Sequence, residues 1–274
     1  MFRTRLLSGI VLVILALLTL SSGGVLLLLA LGMISMIAYR ELTKALLCAT
    51  DGKKVNTLET AGLVGVALYY VTVYFASQWN LQLMCIVGVF MALMFIYVFT
   101  FPKFQASQVL GAFFAFMYAP VMLSFVYLTR ESAFGVYMVW LILLSAWGSD
   151  TCAYCVGMLI GKKKIFPVLS PKKSLEGCIG GVLGAALLGG LYGYFFVEQQ
   201  LPDQEVTGII AFICAVGAVM SMVGDLAASA IKRNHNIKDY GKLIPGHGGI
   251  MDRFDSMIVT APMIYFLTML MIRL

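Results

Sequence analysis

Residues 206–231 read VTGIIAFICAVGAVMSMVGDLAASAI, and Asp225 is the one charged side chain in this run. About 20 mostly apolar residues are enough for an α-helix to cross the hydrocarbon core of a bilayer, because each residue advances the helix by about 1.5 Å. The run therefore predicts a membrane-spanning helix.

Eight further apolar runs of 15 to 27 residues lie along the chain and are interpreted as candidate spans. They cover residues 6–20, 25–39, 61–76, 81–99, 106–128, 134–160, 178–197 and 250–272. Of all 274 residues, 61% are hydrophobic and 12% are charged. A soluble domain is about half apolar and about one quarter charged. The sequence thus predicts an all-α polytopic membrane protein with about nine transmembrane helices.

The N-terminus has some features of a signal peptide, since Arg3 and Arg5 precede the first apolar run. No small-residue cleavage site of the usual form follows that run, and a second apolar run begins almost at once. We therefore expect both runs to be retained as a helical hairpin.

Lysine and arginine are concentrated in alternate loops. With nine spans and a cytoplasmic N-terminus, the inner segments are residues 1–5, 40–60, 100–105, 161–177 and 232–253. These segments contain 17 of the 19 Lys and Arg residues, in accord with the positive-inside rule. We expect an integral protein of a bacterial cytoplasmic membrane. Its basic charge needs no nucleic-acid partner.

Polar side chains divide the chain into two regions. Residues 1–131 carry almost no polar side chain within an apolar run and are interpreted as a transmembrane scaffold. Residues 132–274 are predicted to be the catalytic region, with cytoplasmic loops at 161–177 and 232–250. We therefore expect a polar site at the cytoplasmic side of the C-terminal half.

Asp150 lies inside the apolar run 134–160. A charge there is costly, so a functional role is expected; a structural ion pair or a protonated acid is the alternative.

Lys162–Lys164 alone is typical of a stop-transfer or lipid-headgroup cluster. The segment 170–174, SPKKS, precedes a glycine-rich run and suits a phosphate, because helix N-termini offer free N–H groups and a favourable dipole. It lacks the glycine pattern of a P-loop.

The stretch 225–255 reads DLAASAIKRNHNIKDYGKLIPGHGGIMDRFD. Asp225, Ser229 and Lys232 are spaced four and three residues apart and would share one helix face. Asp252 and Asp255 would lie in the first turn of the last helix, where either acid alone is equally explained as a partner of the helix dipole. Together with Asp225 they form a carboxylate set suited to Mg²⁺, which shares substrate phosphates.

His247 is flanked by glycines that permit close approach to a ligand. It is interpreted as a hydrogen-bond donor to phosphate, with a capped loop histidine as the alternative. A histidine-rich zinc site is not expected, because His235 is the only other histidine and no cysteine lies nearby. Cys152 and Cys155 have redox or metal spacing, but they fall within a predicted span and are interpreted as small apolar residues.

These motifs resemble the phosphatidate cytidylyltransferases, also called CDP-diacylglycerol synthases. The family pattern S-x-x-K-R-x4-K-D-x-G-x-L-x-P-G-H-G-G-x-x-D-R-x-D is matched from Ser229 to Asp255. Two upstream elements, W-x-x-D-T-x-A-Y and S-P-K-K-S/T-x-E-G-x-x-G-G, match from Trp147 and from Ser170. The resemblance is strong over residues 145–256, while the N-terminal half matches mainly in hydropathy.

The chain departs from the family pattern at two positions. Ala228 stands where many members carry an acidic residue, which puts one supporting carboxylate in doubt, and Ser174 replaces a frequent threonine. The resemblance implies an enzyme that joins CTP to phosphatidic acid, giving CDP-diacylglycerol and pyrophosphate for phospholipid biosynthesis. It implies Mg²⁺ as the cofactor; a second, monovalent cation and a homodimer are left open.

The resemblance also implies roles for individual residues. The metal would be bound by Asp225, Asp252 and Asp255. The catalytic residues would be Lys232, Arg233, His247 and Asp150. The CTP and lipid phosphates would be bound by Ser170, Lys172, Lys173, Ser174, Ser229 and Lys238.

Two other functions remain open. One is a CTP-dependent enzyme that acts on another lipid phosphate, because the motif specifies the nucleotide chemistry better than the lipid tail. The other is an anion transporter, since intramembrane carboxylates also mark transporters. Transporters usually show interrupted helices in both halves, whereas the polarity here is concentrated in one half.

Overall fold

A computed structural model of the chain describes residues 2–48, 55–75, 80–201, 204–244, 246 and 248–272, with side chains described from residue 9 onwards. Within these ranges the regular structure is helical, and no β-strand is present. Two isolated β-bridges join Lys164 to Ser174 and Ile244 to Gly248. The predicted all-α class is confirmed.

Helical segments overlap the predicted apolar runs along the described part of the chain. They are α1 Phe2–Ser22, α2 Gly24–Ala45, α3 Thr57–Tyr74, α4 Leu81–Phe99, α5 Ala106–Glu131, α6 Gly135–Ile160, α7 Leu175–Gln200, α8 Thr207–Asn234 and α9 Met251–Met271. Three of them contain a π-helical turn. These turns are Met117–Val121 in α5, Leu144–Gly148 in α6 and Gly193–Val197 in α7.

Among the described residues, seven helices are long and apolar enough to cross a membrane: α2 and α4 to α9. Helix α3 is not in this set, and the described part of α1, Gly9–Ser22, is a shorter apolar helix. Large apolar side chains such as Phe99 and Leu270 are exposed, as expected for helices in contact with hydrocarbon. Seven membrane-length helices are therefore present, and the number nine stays a prediction.

The chain forms two compact units. The first contains Met1–Tyr127 and Ile231–Arg253, and the second contains Leu128–Ala230 and Phe254–Leu274. The boundary after Tyr127 lies close to the predicted division after residue 131, but the segment 231–253 groups with the N-terminal part. The assignment of a scaffold role and a catalytic role to the two predicted regions stays a prediction.

The core of the first unit includes tyrosines that are almost completely buried. The Tyr69 hydroxyl lies 3.1 Å from the Ser124 hydroxyl, and the Tyr70 hydroxyl lies 2.7 Å from that of Ser35. Buried polar groups need such partners, because an unpaired hydroxyl in an apolar interior loses its bonds to water.

Helix α2 is longer than predicted. The apolar run was expected to end at residue 39, with a loop over residues 40–60, but α2 continues to Ala45 and α3 begins at Thr57. Thr43 is fully buried, and its hydroxyl donates to the carboxylate of Glu59 at 3.1 Å. Because these polar side chains are paired inside the protein, the helix extends beyond its apolar run.

In the second unit, α6 and α7 pack closely along a row of glycines. A Cβ atom on Gly180 would lie 2.6 Å from the Cβ of Val156, and a Cβ on Gly184 would overlap the Cys152 thiol. Small residues of this kind let helix backbones approach closely in membranes. The contact at Cys152 supports the interpretation of that cysteine as a packing residue, and all six cysteines are free thiols.

Candidate active site

The segment between α6 and α7 folds back onto the start of α7. The backbone N–H of Leu175 donates to the Lys163 carbonyl at 2.8 Å. The Glu176 carboxylate accepts the N–H groups of Lys162 at 3.1 Å and of Lys163 at 3.2 Å. The start of the basic loop, at Lys162 and Lys163, is therefore tied to the first turn of α7.

Ser174 is the N-cap residue of α7. Its hydroxyl oxygen accepts the N–H of Gly177 at 3.2 Å, and only 3% of the residue is exposed. A Cβ atom on Gly157 would lie 3.2 Å from this hydroxyl, and a Cβ on Gly161 would overlap it. The structure thus gives Ser174 a capping role, which satisfies one of the free N–H groups at the helix start.

Lys173 and Asp225 form an ion pair in the second unit. The Lys173 Nζ lies 2.5 Å from an Asp225 carboxylate oxygen, and the two side chains remain 21% and 32% exposed. Asp150 lies within electrostatic range of both groups. One ammonium is therefore placed among two carboxylates, and each side chain of the ion pair keeps part of its surface open.

A cavity of about 370 Å³ opens beside this ion pair. Its polar lining residues are Asp150, Lys164, Lys172, Lys173, Ser174 and Cys178. Apolar and small residues complete the wall: Ala153, Tyr154, Gly157, Met158, Gly177 and Met222. Three ammonium groups around one cavity make it suited to a polyanion such as a triphosphate.

Some residues of the predicted phosphate-binding loop line the cavity, and others form the turn that holds the loop. Lys172 is exposed and lines the cavity. Ser170 is half-buried and does not line it; its carbonyl accepts the N–H of Lys173 at 3.1 Å and forms the turn. Lys164 donates to the Lys172 carbonyl at 3.0 Å, so the lysine that was grouped with a stop-transfer cluster is part of the cavity.

In the first unit, Asp252 is the centre of a hydrogen-bond network. One carboxylate oxygen accepts Lys232 Nζ at 2.8 Å. The other oxygen accepts the N–H groups of Tyr240 at 2.9 Å and Gly249 at 3.0 Å. Asp252 is 8% exposed, and the Lys232 ammonium also lies over the Tyr240 ring at 5.4 Å. Asp252 therefore fixes the segment between α8 and α9 around Lys232.

Glu41 of α2 reaches the same segment. Its two carboxylate oxygens accept the N–H of Ile250 at 3.2 Å and of Met251 at 2.8 Å. Glu41 is 8% exposed, and a Cβ atom on Gly241 or Gly249 would overlap its carboxylate. A side chain from the predicted scaffold region thus holds the start of α9.

The remaining predicted residues occupy different surroundings. Asp255 is 7% exposed and accepts the N–H of Ser256 at 2.8 Å. A Cβ atom on Gly224 of α8 would lie 2.7 Å from the Asp255 carbonyl, so α8 and the start of α9 are in close contact there. Ser229 is half-buried, while Arg233 and Lys238 are exposed.

Two positions from the family pattern need separate mention. His247 lies outside the described residues, so its predicted role stays a prediction. Ala228, where many family members carry an acidic residue, is fully buried. An uncharged side chain suits that position, because an unpaired buried carboxylate would be costly.

The carboxylates differ in how well they suit Mg²⁺, which prefers oxygen ligands and shares them with water and phosphates. Asp225 is partly exposed and already holds a positive charge at 2.5 Å, which fits a cation site. Asp252 accepts three hydrogen bonds and has little remaining acceptor capacity. Among the described residues, no three His, Cys, Asp or Glu side chains form a metal-binding group. The three-carboxylate metal set stays a prediction.

The residues of the candidate site lie within a match to a known protein family. The chain matches the model of the cytidylyltransferase family over residues 3–271. It belongs to the cytidylyltransferase family. The predicted family resemblance is thereby confirmed over nearly the whole chain.

Several curated relatives of this family member are bacterial. It is 30% identical over 269 residues to the phosphatidate cytidylyltransferase of Staphylococcus saprophyticus, covering 97% of this chain and 98% of the relative. The enzyme of that name from Thermotoga maritima is 39% identical over 164 residues, 59% and 60% of the two chains. The one from Bacillus subtilis is 36% identical over 143 residues, 52% and 51% of the two chains.

For this cytidylyltransferase family member, sequence reasoning missed two site residues. Glu41 is separated from its partner Ile250 by 209 residues, so no local pattern could connect them. The available signal was a carboxylate two residues after the end of the apolar run 25–39. Lys164 was present in the basic cluster, but only the fold of the loop brings it to the cavity.

Proposed function

We propose that this chain transfers the cytidylyl group of CTP to phosphatidic acid, giving CDP-diacylglycerol and pyrophosphate for phospholipid biosynthesis. The observation that carries the proposal is the cavity lined by Lys164, Lys172 and Lys173 in a chain of the cytidylyltransferase family. A relative that is 30% identical over 97% of this chain has the name phosphatidate cytidylyltransferase.

The reaction is a phosphoryl-type substitution between two polyanions. An oxygen of the lipid phosphate forms a bond to the α-phosphorus of CTP. The bond from that phosphorus to the oxygen bridging to the β-phosphate breaks, and pyrophosphate leaves with the electron pair. The lipid phosphate is already ionised at neutral pH, so the barrier arises mainly from charge repulsion and alignment.

The lysine cavity addresses that repulsion. Lys164, Lys172 and Lys173 would neutralise the phosphates and align them, as positive groups do in phosphoryl transfer generally. The cavity volume of about 370 Å³ lies within the range of about 300–1,000 Å³ that is usual for small-molecule sites. Lys173 would exchange the Asp225 carboxylate for a substrate phosphate, since both are anionic partners for one ammonium.

Residues of the signature segment would complete the chemistry. Lys232 and Arg233 would contact phosphates, and His247, Ser229 and Lys238 would donate further hydrogen bonds. Mg²⁺, when bound, would supply additional positive charge to the phosphates. Asp225, Asp252 and Asp255 are the residues proposed to hold it, and the partly exposed Asp225 offers the most accessible oxygens.

The orientation of the protein follows from its loop charges. We infer nine spans with a cytoplasmic N-terminus, because 17 of 19 Lys and Arg residues then lie on the inner face. The site would face the cytoplasm, where CTP is available, in a bacterial cytoplasmic membrane. The acyl chains would stay in the bilayer, since moving them into water costs about 0.8 kcal/mol per CH₂.

A competition experiment tests the substrate. Purified protein in lipid vesicles receives CTP, Mg²⁺ and equal amounts of phosphatidic acid and a polyprenyl phosphate, and the lipid products are identified by mass spectrometry. The proposal predicts CDP-diacylglycerol as the main product. Preferential formation of a CDP-polyprenol would instead support the alternative, a CTP-dependent enzyme for another lipid phosphate.

A matched pair of variants tests the cavity in the same assay. Lys163 and Lys173 belong to one loop, but only Lys173 lines the cavity. The Lys173→Ala variant should lose product, while Lys163→Ala should retain it. Equal losses in both variants would contradict the assignment of the cavity as the binding site.

A further inference from the structure

We propose that Glu41 is a positioning residue for the transfer reaction, acting through the backbone of the segment that carries Lys232 and Asp252. This inference rests on the proposed function and adds a residue from the N-terminal region to its site. Glu41 does not belong to the motif matched over residues 229–255, and it follows the apolar run 25–39.

The contact is bidentate. Glu41 accepts the N–H of Ile250 with one carboxylate oxygen and the N–H of Met251 with the other. Met251 is the first residue of α9, and these N–H groups have no partner within the helix. A carboxylate at this position is favoured by both the free N–H groups and the helix dipole.

The glycines of the segment fit this carboxylate. Gly241 and Gly249 contact Glu41 so closely that a Cβ atom on either would overlap its carboxylate oxygens. Gly249 lies outside the left-handed region of φ, so backbone conformation does not require glycine there. The close approach of Glu41 is therefore a specific reason for glycine at position 249.

The contact has a direct consequence for Asp252. Gly249 donates its N–H to Asp252, and Asp252 in turn accepts the Lys232 ammonium. Glu41, Gly249, Asp252 and Lys232 thus form a continuous series of contacts. Loss of the Glu41 contact should therefore displace Lys232 at the other end of the series. A misplacement of about 1 Å can cost about 10²-fold in rate.

Glu59 is a matched control in the same unit. It is also a buried carboxylate, at 1% exposure, but its recorded partners are Thr43 and the backbone N–H of Asn56. Loss of its charge should affect the amount of folded protein more than catalysis. The comparison separates a positioning role from general destabilisation.

The experiment compares Glu41→Ala, Glu41→Gln, Gly249→Ala, the double variant Glu41→Ala with Gly249→Ala, and Glu59→Gln. For each purified protein, kcat and the KM for CTP are measured per folded molecule, and trypsin cleavage after the exposed Lys238 and Lys242 is timed by mass spectrometry. Glutamine keeps one carbonyl oxygen, so Glu41→Gln should recover part of the loss.

We expect Glu41→Ala to lower kcat by about 10²-fold with a smaller change in KM, and to speed cleavage by about tenfold. Gly249→Ala should act similarly in the wild-type background because its methyl group displaces the carboxylate. In the double variant, Gly249→Ala should cause almost no further loss of kcat, because the Glu41 carboxylate that its methyl group would overlap is absent.

Three results would overturn the proposal. They are a wild-type kcat in Glu41→Ala, equal kcat losses in Glu41→Ala and Glu59→Gln, and additive effects in the double variant. If the wild-type chain made no CDP-diacylglycerol, the proposed function would fail instead. The cleavage rates of the same five variants would still test whether Glu41 anchors the segment.

Discussion

At the scale of single residues, the pair of Lys173 and Asp225 shows how the chain keeps charge at the edge of apolar helices. An unpaired charge there would be costly, and pairing lowers that cost. Both side chains keep part of their surface exposed, whereas the Lys173 Nζ atom itself is buried against the Asp225 carboxylate. This partial exposure distinguishes it from the almost completely buried Asp252.

The two neighbours Lys173 and Ser174 should respond differently to alanine. Lys173→Ala removes an ammonium from the cavity and should lower kcat/KM by about 10²-fold or more. Ser174→Ala removes the N-cap of α7, which costs about 0.5–2 kcal/mol of stability, and should lower activity less. Steady-state kinetics and thermal unfolding check both effects, and the reverse order of activities would contradict the role of Lys173.

Asp255→Asn should abolish activity while the protein still inserts and folds. Asparagine keeps an oxygen that can accept the N–H of Ser256, but it removes the negative charge. The check is CDP-diacylglycerol formation over a Mg²⁺ titration, with Ser256→Ala as the control. Full Mg²⁺-dependent turnover by Asp255→Asn would rule out its predicted metal role.

At the scale of helices and loops, two carboxylates each accept backbone N–H groups of a loop or helix start. Glu176 holds the N–H groups of the loop before α7, and Glu41 holds those at the start of α9. Each fixes a segment that carries lysines without itself lining the cavity. At the start of α9 the direction of these N–H groups is set by the helix that follows, which makes them good anchors.

Glu176→Ala should loosen the basic loop. We expect the KM for CTP to rise by about tenfold, because two hydrogen bonds to the loop backbone are lost. Trypsin should also cleave faster after residues 162–164. Glu205→Ala, which changes an exposed carboxylate of the same unit, is the control. An unchanged KM and cleavage rate in Glu176→Ala would show that the loop does not need this anchor.

The helices were predictable because membrane spans have a strong compositional signal. The run 81–99 coincides with α4 residue for residue. The end of α2 was not predictable from hydropathy, because Glu41 and Thr43 are polar and their partners, Ile250 and Glu59, lie in other segments. The hydrogen bonds that Asp252 accepts from the backbone N–H groups of Tyr240 and Gly249 were likewise not predictable from the sequence.

At the scale of the whole chain, the segment 231–253 belongs to a compact unit whose other residues are distant from it in the sequence. It groups with residues 1–127, because contacts such as that of Glu41 with Met251 join residues 210 positions apart. The first unit therefore contains part of the predicted site, and the second contains the lysine cavity.

Topology can be tested with a reporter fused after Leu274. Nine spans with a cytoplasmic N-terminus place the C-terminus outside the cytoplasm. A periplasm-active reporter such as alkaline phosphatase should therefore be active, and a fusion after residue 167, in the basic loop, should be inactive. Activity of the reporter at the loop, or inactivity at the C-terminus, would refute this topology.

The central claim is transfer of the cytidylyl group, and the position of a label tests it most directly. Purified protein in vesicles with phosphatidic acid and Mg²⁺ receives CTP radiolabelled on either the α- or the γ-phosphorus. The proposed function predicts that the α-label enters the lipid and that the γ-label is released in pyrophosphate. Incorporation of the γ-label into lipid, or of neither label, would contradict it.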